Sequence, residues 1–298
     1  MPSGDPQPYP DTLPRPIAFV LSGGSSLGAV QVGMLQAMQA HGITPDLLVG
    51  TSAGAVNAAY IGQGFTLDRL AKIWIGLRMR DVFGSLGWRR LARTLSWRAT
   101  LASSNSLRDV LERHLPFSYM DLTVPTTVVA ADILTGEAVL LSDGELRRNV
   151  LASAAIPGIF PPVTVGHRLL ADGGLVAHVP LLPAMQSGAR TLLVCDAGYP
   201  CMLSALPKGA LGYTLHLLTL IIRQQSLGVL SLVNRNCTVL YLPTPCPLDV
   251  PLHDFSRAAE LIEAGYQSAY AFLAALHITG PGIYGHPHFH AGLSAEAP

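Results

Sequence analysis

Leu47-Leu48-Val49-Gly50-Thr51-Ser52-Ala53-Gly54 passes from a short apolar run through a G-x-S-x-G turn into Ala53 to Gln63, an alanine-rich stretch with Val56 and Tyr60 on one side. Strand, tight turn and helix in that order make a nucleophile elbow, a strained turn that lifts the serine clear of the sheet. Gly50 and Gly54 stand two residues before and two after Ser52, where side chains would collide. The helix opening there aims its positive dipole end at the serine. The same pattern occurs once before: Ile17 to Leu21 is apolar, Ser22-Gly23-Gly24 breaks it, and Ala29 to His41 carries Val30, Met34, Leu35 and Met38 at helical spacing. Further runs at Thr126 to Ala130, Ala138 to Leu141, Arg168 to Ala171, Thr191 to Cys195 and Val239 to Leu242 predict buried strands, with helical patterns between several of them. Such alternation predicts an α/β fold with a mainly parallel sheet covered on both faces.

Bulk composition narrows the function classes. The 298 residues are 49% hydrophobic and 13% charged, enough for a large core. Nineteen basic residues balance nineteen acidic ones, which gives no overall pull toward nucleic acid. Cys195, Cys201, Cys237 and Cys246 contain no CxxC pair and read as reduced thiols, in keeping with a cytoplasmic protein. Residues 1–16 hold six prolines without the basic start and apolar core of a secretory signal, and predict a flexible tail. The apolar stretch Ala210 to Ile222 is too short for a bilayer span of ~20 residues and predicts a buried or interfacial helix. A mean hydropathy of +0.37 is compatible with peripheral membrane contact. The expected division is a tail (1–16), one domain (17–276) and a second flexible tail (277–298). Within the domain, 78–98 carries six arginines with Trp88 and Trp97, which fits either a solvated basic excursion or a lid or anionic-membrane contact.

Two further features bear on chemistry. Ser22-Gly23-Gly24-Ser25-Ser26-Leu27-Gly28 turns from the first strand into the first helix and can point backbone N–H groups at an anion. No Gly-Lys-Ser/Thr follows and the spacing misses G-x-G-x-x-G, which argues against nucleotide phosphates. Beside a nucleophilic serine the loop suits an oxyanion hole built from Gly23, Gly24 and Ser25, each donor worth roughly 3 kcal/mol in ester cleavage. Asp172-Gly173-Gly174 closes the run from Arg168. An Asp-Gly pair alone is a common hairpin turn, yet a serine hydroxyl needs a proton acceptor and an aspartate ending a strand of the same sheet supplies one. Burial away from cations would raise its pKa toward the range a general base needs.

The glycine loop, the G-x-S-x-G and the late Asp-Gly-Gly, in this order, resemble the patatin-like phospholipase family. The block Ala152 to Pro162 is similar to the Ala-Ser…Pro…Phe-Pro-Pro stretch that members carry before the aspartate, and Asp254 to Tyr270 resembles their closing helix. The resemblance, spanning about Ile17 to Leu276, implies a three-layer α/β/α sandwich. It also implies a Ser-Asp dyad of Ser52 and Asp172 without histidine, and hydrolysis of lipid acyl esters with no metal or cofactor. Two stretches depart from the family pattern. Ser25 replaces a third glycine and Leu27 replaces a basic residue, which weakens the case for phosphate-bearing substrates. After Asp-Gly-Gly, Ala177-His178 stands where Asn-Asn is common.

His178 keeps a Ser-His-Asp esterase open as an alternative, and His253 follows the α/β-hydrolase chain order. A catalytically idle membrane-binding or regulatory protein is a second alternative, and a nucleotide-binding module a third. His286, His288 and His290 alternate in a Gly/Pro-rich terminal segment, which predicts disorder rather than a metal site.

Overall fold

In the computed structural model, which describes residues 13–84, 102–199, 201, 205, 209–233 and 236–288, the described strands form one nine-stranded sheet. Their order is β5-β6-β3-β2-β1-β7-β8-β9, with β4 on the far edge of β3. The central strands are β1 (Ile17–Leu21), β2 (Leu47–Thr51), β3 (Thr126–Asp132), β7 (Thr191–Cys195) and β8 (Thr238–Tyr241), all parallel to their neighbours in that group. Antiparallel strands finish one side: β4 (Ala138–Leu141), β5 (Val163–Val165) and β6 (Arg168–Asp172). At the other edge β9 (Gly282–Tyr284) runs parallel to β8.

Period-two alternation sends successive side chains into two separate cores. Ile17, Phe19 and Leu21 enter the larger one, while Ala18 and Val20 enter the smaller one; Leu193 and Cys195 part in the same way from Leu192 and Val194. The larger core is covered by α1 (Gly28–Ala40), α2 (Ala53–Gly62), α3 (Leu67–Gly76), α4 (Met79–Phe83), α5 (Asn105–His114) and α10 (Ala258–Ala275), and α6 (Leu146–Ser153) also contributes to it. The smaller core is covered mainly by α8 (Leu181–Gln186). Between them in sequence lie α7 (Gly174–Ala177) and α9 (Gly209–Val229). This is the three-layer α/β/α arrangement expected from the sequence. α1 and α10 cross so closely that a Cβ on Gly33 would overlap the Ile262 carbonyl oxygen, and one on Gly265 would overlap that of Val30.

Several expectations need correction. β4 was expected to be buried, but Ala138 and Leu140 are exposed because the strand pairs only with β3 at the margin. β5 lies in a stretch too short and too proline-flanked to read as a strand. Residues 277–298 do not form a wholly flexible tail, since 282–284 add β9 to the sheet. At the other end, Leu13 is buried, the Pro14 carbonyl accepts from Thr191 Oγ1 at 2.6 Å, and Arg15 pairs with Asp46. Residues 85–101, with Trp88, Trp97 and most of the arginine-rich segment, lie outside the described residues, as do residues 1–12 and the histidine at position 290. Among the described residues no helix is long and apolar enough to cross a membrane.

Candidate active site

Sheet register brings together two residues far apart in sequence. β3 offers one edge to β2 and then, further along, to β6: Thr51 pairs with Val129, and the next residue, Ala130, pairs with Asp172. β2 therefore ends where β6 ends, and Ser52 Oγ donates to Asp172 Oδ2 at 2.7 Å. Both groups are sequestered, with 6% exposure for Ser52 and 7% for Asp172.

The turn that holds Ser52 is strained as the motif requires. Ser52 has φ 54° and ψ −120°, a left-handed conformation costly for a residue with a Cβ. It is held there by neighbours that leave no room for alternatives: a Cβ on Gly50 would overlap the Gly54 carbonyl, and one on Gly54 would overlap that of Leu21. The Ser52 amide donates to Ser153 Oγ at 2.8 Å, and that hydroxyl donates to the Val129 carbonyl at 2.5 Å. Ser153 lies in the Ala152 to Pro162 block, whose backbone also braces the aspartate. Asp172 N donates to the Ala155 carbonyl and Gly173 N to that of Ser153. The second oxygen of Asp172 accepts from Gly174 N at 2.8 Å, which fixes the carboxyl plane. Burial pushes the Asp172 pKa up to about 6, against the opposing pull of the Ser52 and Gly174 hydrogen bonds.

The glycine loop lies above the same point, with one change from expectation. Gly23, expected to be an oxyanion donor, gives its N–H to the His178 carbonyl at 3.0 Å and is already engaged. Gly24 and Ser25 donate to no described group. Ser25 reaches φ 50°, the left-handed turn that a glycine would adopt without strain. Leu27, at the position of the family's basic residue, is fully buried in the larger core. Beneath the loop runs a buried polar chain that the sequence reading missed. Trp74 Nε1 donates to Asn57 Oδ1, Asn57 Nδ2 to Gln31 Oε1, and Gln31 Nε2 to the carbonyls of Ser22 and Cys195. Ser22 Oγ and Tyr241 OH then converge on Asp196. Gln31, flanked by Val30 and Val32 in α1, and Asn57, the one asparagine of the alanine-rich α2, were the available signals, since buried amides demand partners.

His178 has no described hydrogen bond to Ser52 or Asp172. Its ring packs where a Cβ on Gly23 would lie, and burial lowers its pKa against the raising effect of Asp196. His253 is exposed on the loop before α10.

Two cavities meet at Ser52, Ser25 and Ile156. One, with about 620 Å³ of empty space, is walled by apolar groups including Trp74, Phe83, Leu111, Phe160 and Phe255. The other, about 610 Å³, is bordered by Gly24, Asp172, His178 and Leu252 and by Leu218, Thr219 and Ile222 of α9.

The Patatin-like phospholipase model matches residues 19–185, from β1 through the elbow and Asp172 to α8. The chain belongs to the patatin-like phospholipase family. An uncharacterized NTE family protein of Mycobacterium tuberculosis is 32% identical over 167 residues, 56% of this chain and 45% of that one. A patatin-like phospholipase domain-containing protein of Caenorhabditis elegans is 32% identical over 191 residues, 61% of this chain and 14% of that one. The crystal structure of VipD from Legionella pneumophila superposes with a TM-score of 0.45 at 16% identity, over 87% of this chain and 67% of that one. This patatin-like chain thus spans less than half the length of these curated relatives. The matched region stops short of β7, β8 and α10, which complete the patatin-like sheet and cover it here.

Proposed function

We propose that this protein is a serine acyl hydrolase acting on lipid carboxylic esters, with Ser52 as nucleophile and Asp172 as its only base. The hydrogen bond between Ser52 Oγ and Asp172 Oδ2 carries this reading. Asp172 takes the hydroxyl proton as Ser52 Oγ attacks the ester carbonyl, and the amides of Gly24 and Ser25 stabilise the oxyanion. The leaving alcohol departs with that proton, water enters, Asp172 deprotonates it, and the acyl-serine is hydrolysed. The apolar cavity suits the acyl chain, and the cavity bordered by His178 suits the leaving alcohol.

An acyl-serine predicts stoichiometric labelling by an alkyl fluorophosphonate, mapped by mass spectrometry to the peptide bearing Ser52, and burst kinetics with an activated ester. Label found on another residue would refute the assignment. The carboxyl raised to about 6 sets the acid limb: kcat/KM on a soluble ester should climb as Asp172 ionises and level off above that pH. A flat profile down to pH ~5 would count against Asp172 as base.

α9 supports a peripheral contact with lipid. Tyr213, Leu217, Leu220 and Ile221 are exposed on one helical face, while Leu218, Thr219 and Ile222 on the opposite face border the cavity. An exposed apolar face on a helix that walls the site fits burial in a lipid surface. Leu217→Glu combined with Ile221→Glu should reduce turnover of vesicle substrate by about tenfold while leaving a short soluble ester within about twofold. Equal loss on both substrates would exclude an interfacial role.

A further inference from the structure

The parallel strands β7, β8 and β9 are neighbours, so the segments leaving their carboxyl ends converge at the edge of the sheet that also carries the candidate site. Each segment brings one sulfur or nitrogen metal ligand: Cys201 after β7, Cys246 after β8 and His288 after β9. Their ligand atoms all lie within 4.8 Å of one another. The two sulfurs are 3.8 Å apart, whereas a disulfide needs ~2.05 Å. Two thiolates on a tetrahedral ion with metal–sulfur bonds of about 2.3 Å are separated by about 3.8 Å. The surroundings are also suitable. Cys201 is buried and its sulfur accepts from Leu248 N at 3.3 Å. A main-chain donor of this kind supports a ligating thiolate, as outer hydrogen bonds do in metal sites generally. The reciprocal bond from Cys201 N to the Leu248 carbonyl holds the two loops together.

We propose that Cys201, Cys246 and His288 bind a divalent ion of borderline softness, best matched by zinc, leaving a fourth tetrahedral position to solvent. Two sulfurs and an imidazole disfavour magnesium and calcium, which prefer oxygen. The role is structural. Ala197 packs under Gly24, and Gly198 borders the second cavity, so an ion at Cys201 would fix the loop beneath the oxyanion turn. It would also tie β9, at the margin of the sheet, to β7 and β8.

The test is titration of the reduced, metal-free full chain with Co²⁺ and then Zn²⁺. Binding of one equivalent, with thiolate-to-cobalt charge-transfer absorption that zinc abolishes, is the expected result. Cys246→Ser and His288→Ala should each weaken zinc binding at least about 30-fold and remove the zinc-induced rise in melting temperature. Cys237→Ser, whose sulfur faces the Ala189 carbonyl instead, should bind as wild type. A cobalt spectrum without charge transfer, or Cys246→Ser and His288→Ala variants that bind like wild type, would overturn the proposal. The wild-type spectrum decides the question even if a variant fails to fold.

Discussion

Asp172→Asn should give a folded protein whose kcat/KM on a soluble ester is about 10³-fold below wild type, because removing a general base costs about 10²–10⁴ in rate. The amide can still accept from Gly174 N, so the turn keeps its shape, but it cannot take the Ser52 proton. Stability should move the other way. The folded chain holds the Asp172 proton to about pH 6, whereas an unfolded aspartate releases it near 3.9. Between these values the native state binds more protons, so its stability falls as pH rises through the window, and the deficit persists above it. At pH ~8 Asp172→Asn should therefore melt no lower than wild type. Ser52→Ala should abolish fluorophosphonate labelling altogether, and His178→Ala should keep more than about a tenth of the activity. A mild Asp172→Asn beside a crippling His178→Ala would replace the dyad with a histidine-centred mechanism.

Gly33→Ala should destabilise the fold by roughly 3 kcal/mol, at the upper end for overpacking, because the new methyl meets a helix backbone rather than a movable side chain. The Ile262 carbonyl and the Tyr266 amide both stand where that Cβ would go. α1 follows directly from the glycine loop, so separating it from α10 also shifts Gly24 and Ser25. Gly76→Ala at the end of α3 is the control. Nothing lies within 4 Å of its Cβ position, and the change should be neutral or stabilising by up to about 1 kcal/mol. Chemical denaturation of both variants checks the pair. Similar stabilities would mean that the two helices slide apart without cost.

Features set by a few consecutive residues were legible. The elbow could be read because Gly50, Ser52 and Gly54 meet a steric demand within five positions. The buried strands could be read because apolar runs of five residues have few other uses. Partner choice across the sheet was not legible. Nothing near Gly23 indicates that the carbonyl of His178 will take its N–H, which leaves Gly24 and Ser25 as the donors of the proposed oxyanion site. Ser153 lay within a block noted for its resemblance, but its bond to the Ser52 amide depends on α6 ending beside β3. β9 escaped notice because three residues among glycines and a proline show no periodicity; pairing with β8 alone makes them a strand.

The shared edge of β3 has a consequence for how such a protein tolerates change. Serine and aspartate, 120 positions apart, are spaced by two successive residues of β3, Val129 and Ala130, that pair with the ends of β2 and β6, so their separation is a property of the main chain there and not of the path between them. Segments on that path that leave both rungs intact can be lengthened, trimmed or exchanged without moving Ser52 relative to Asp172. A single-residue slip between β3 and either partner would pull the pair apart while leaving every motif in the sequence unaltered.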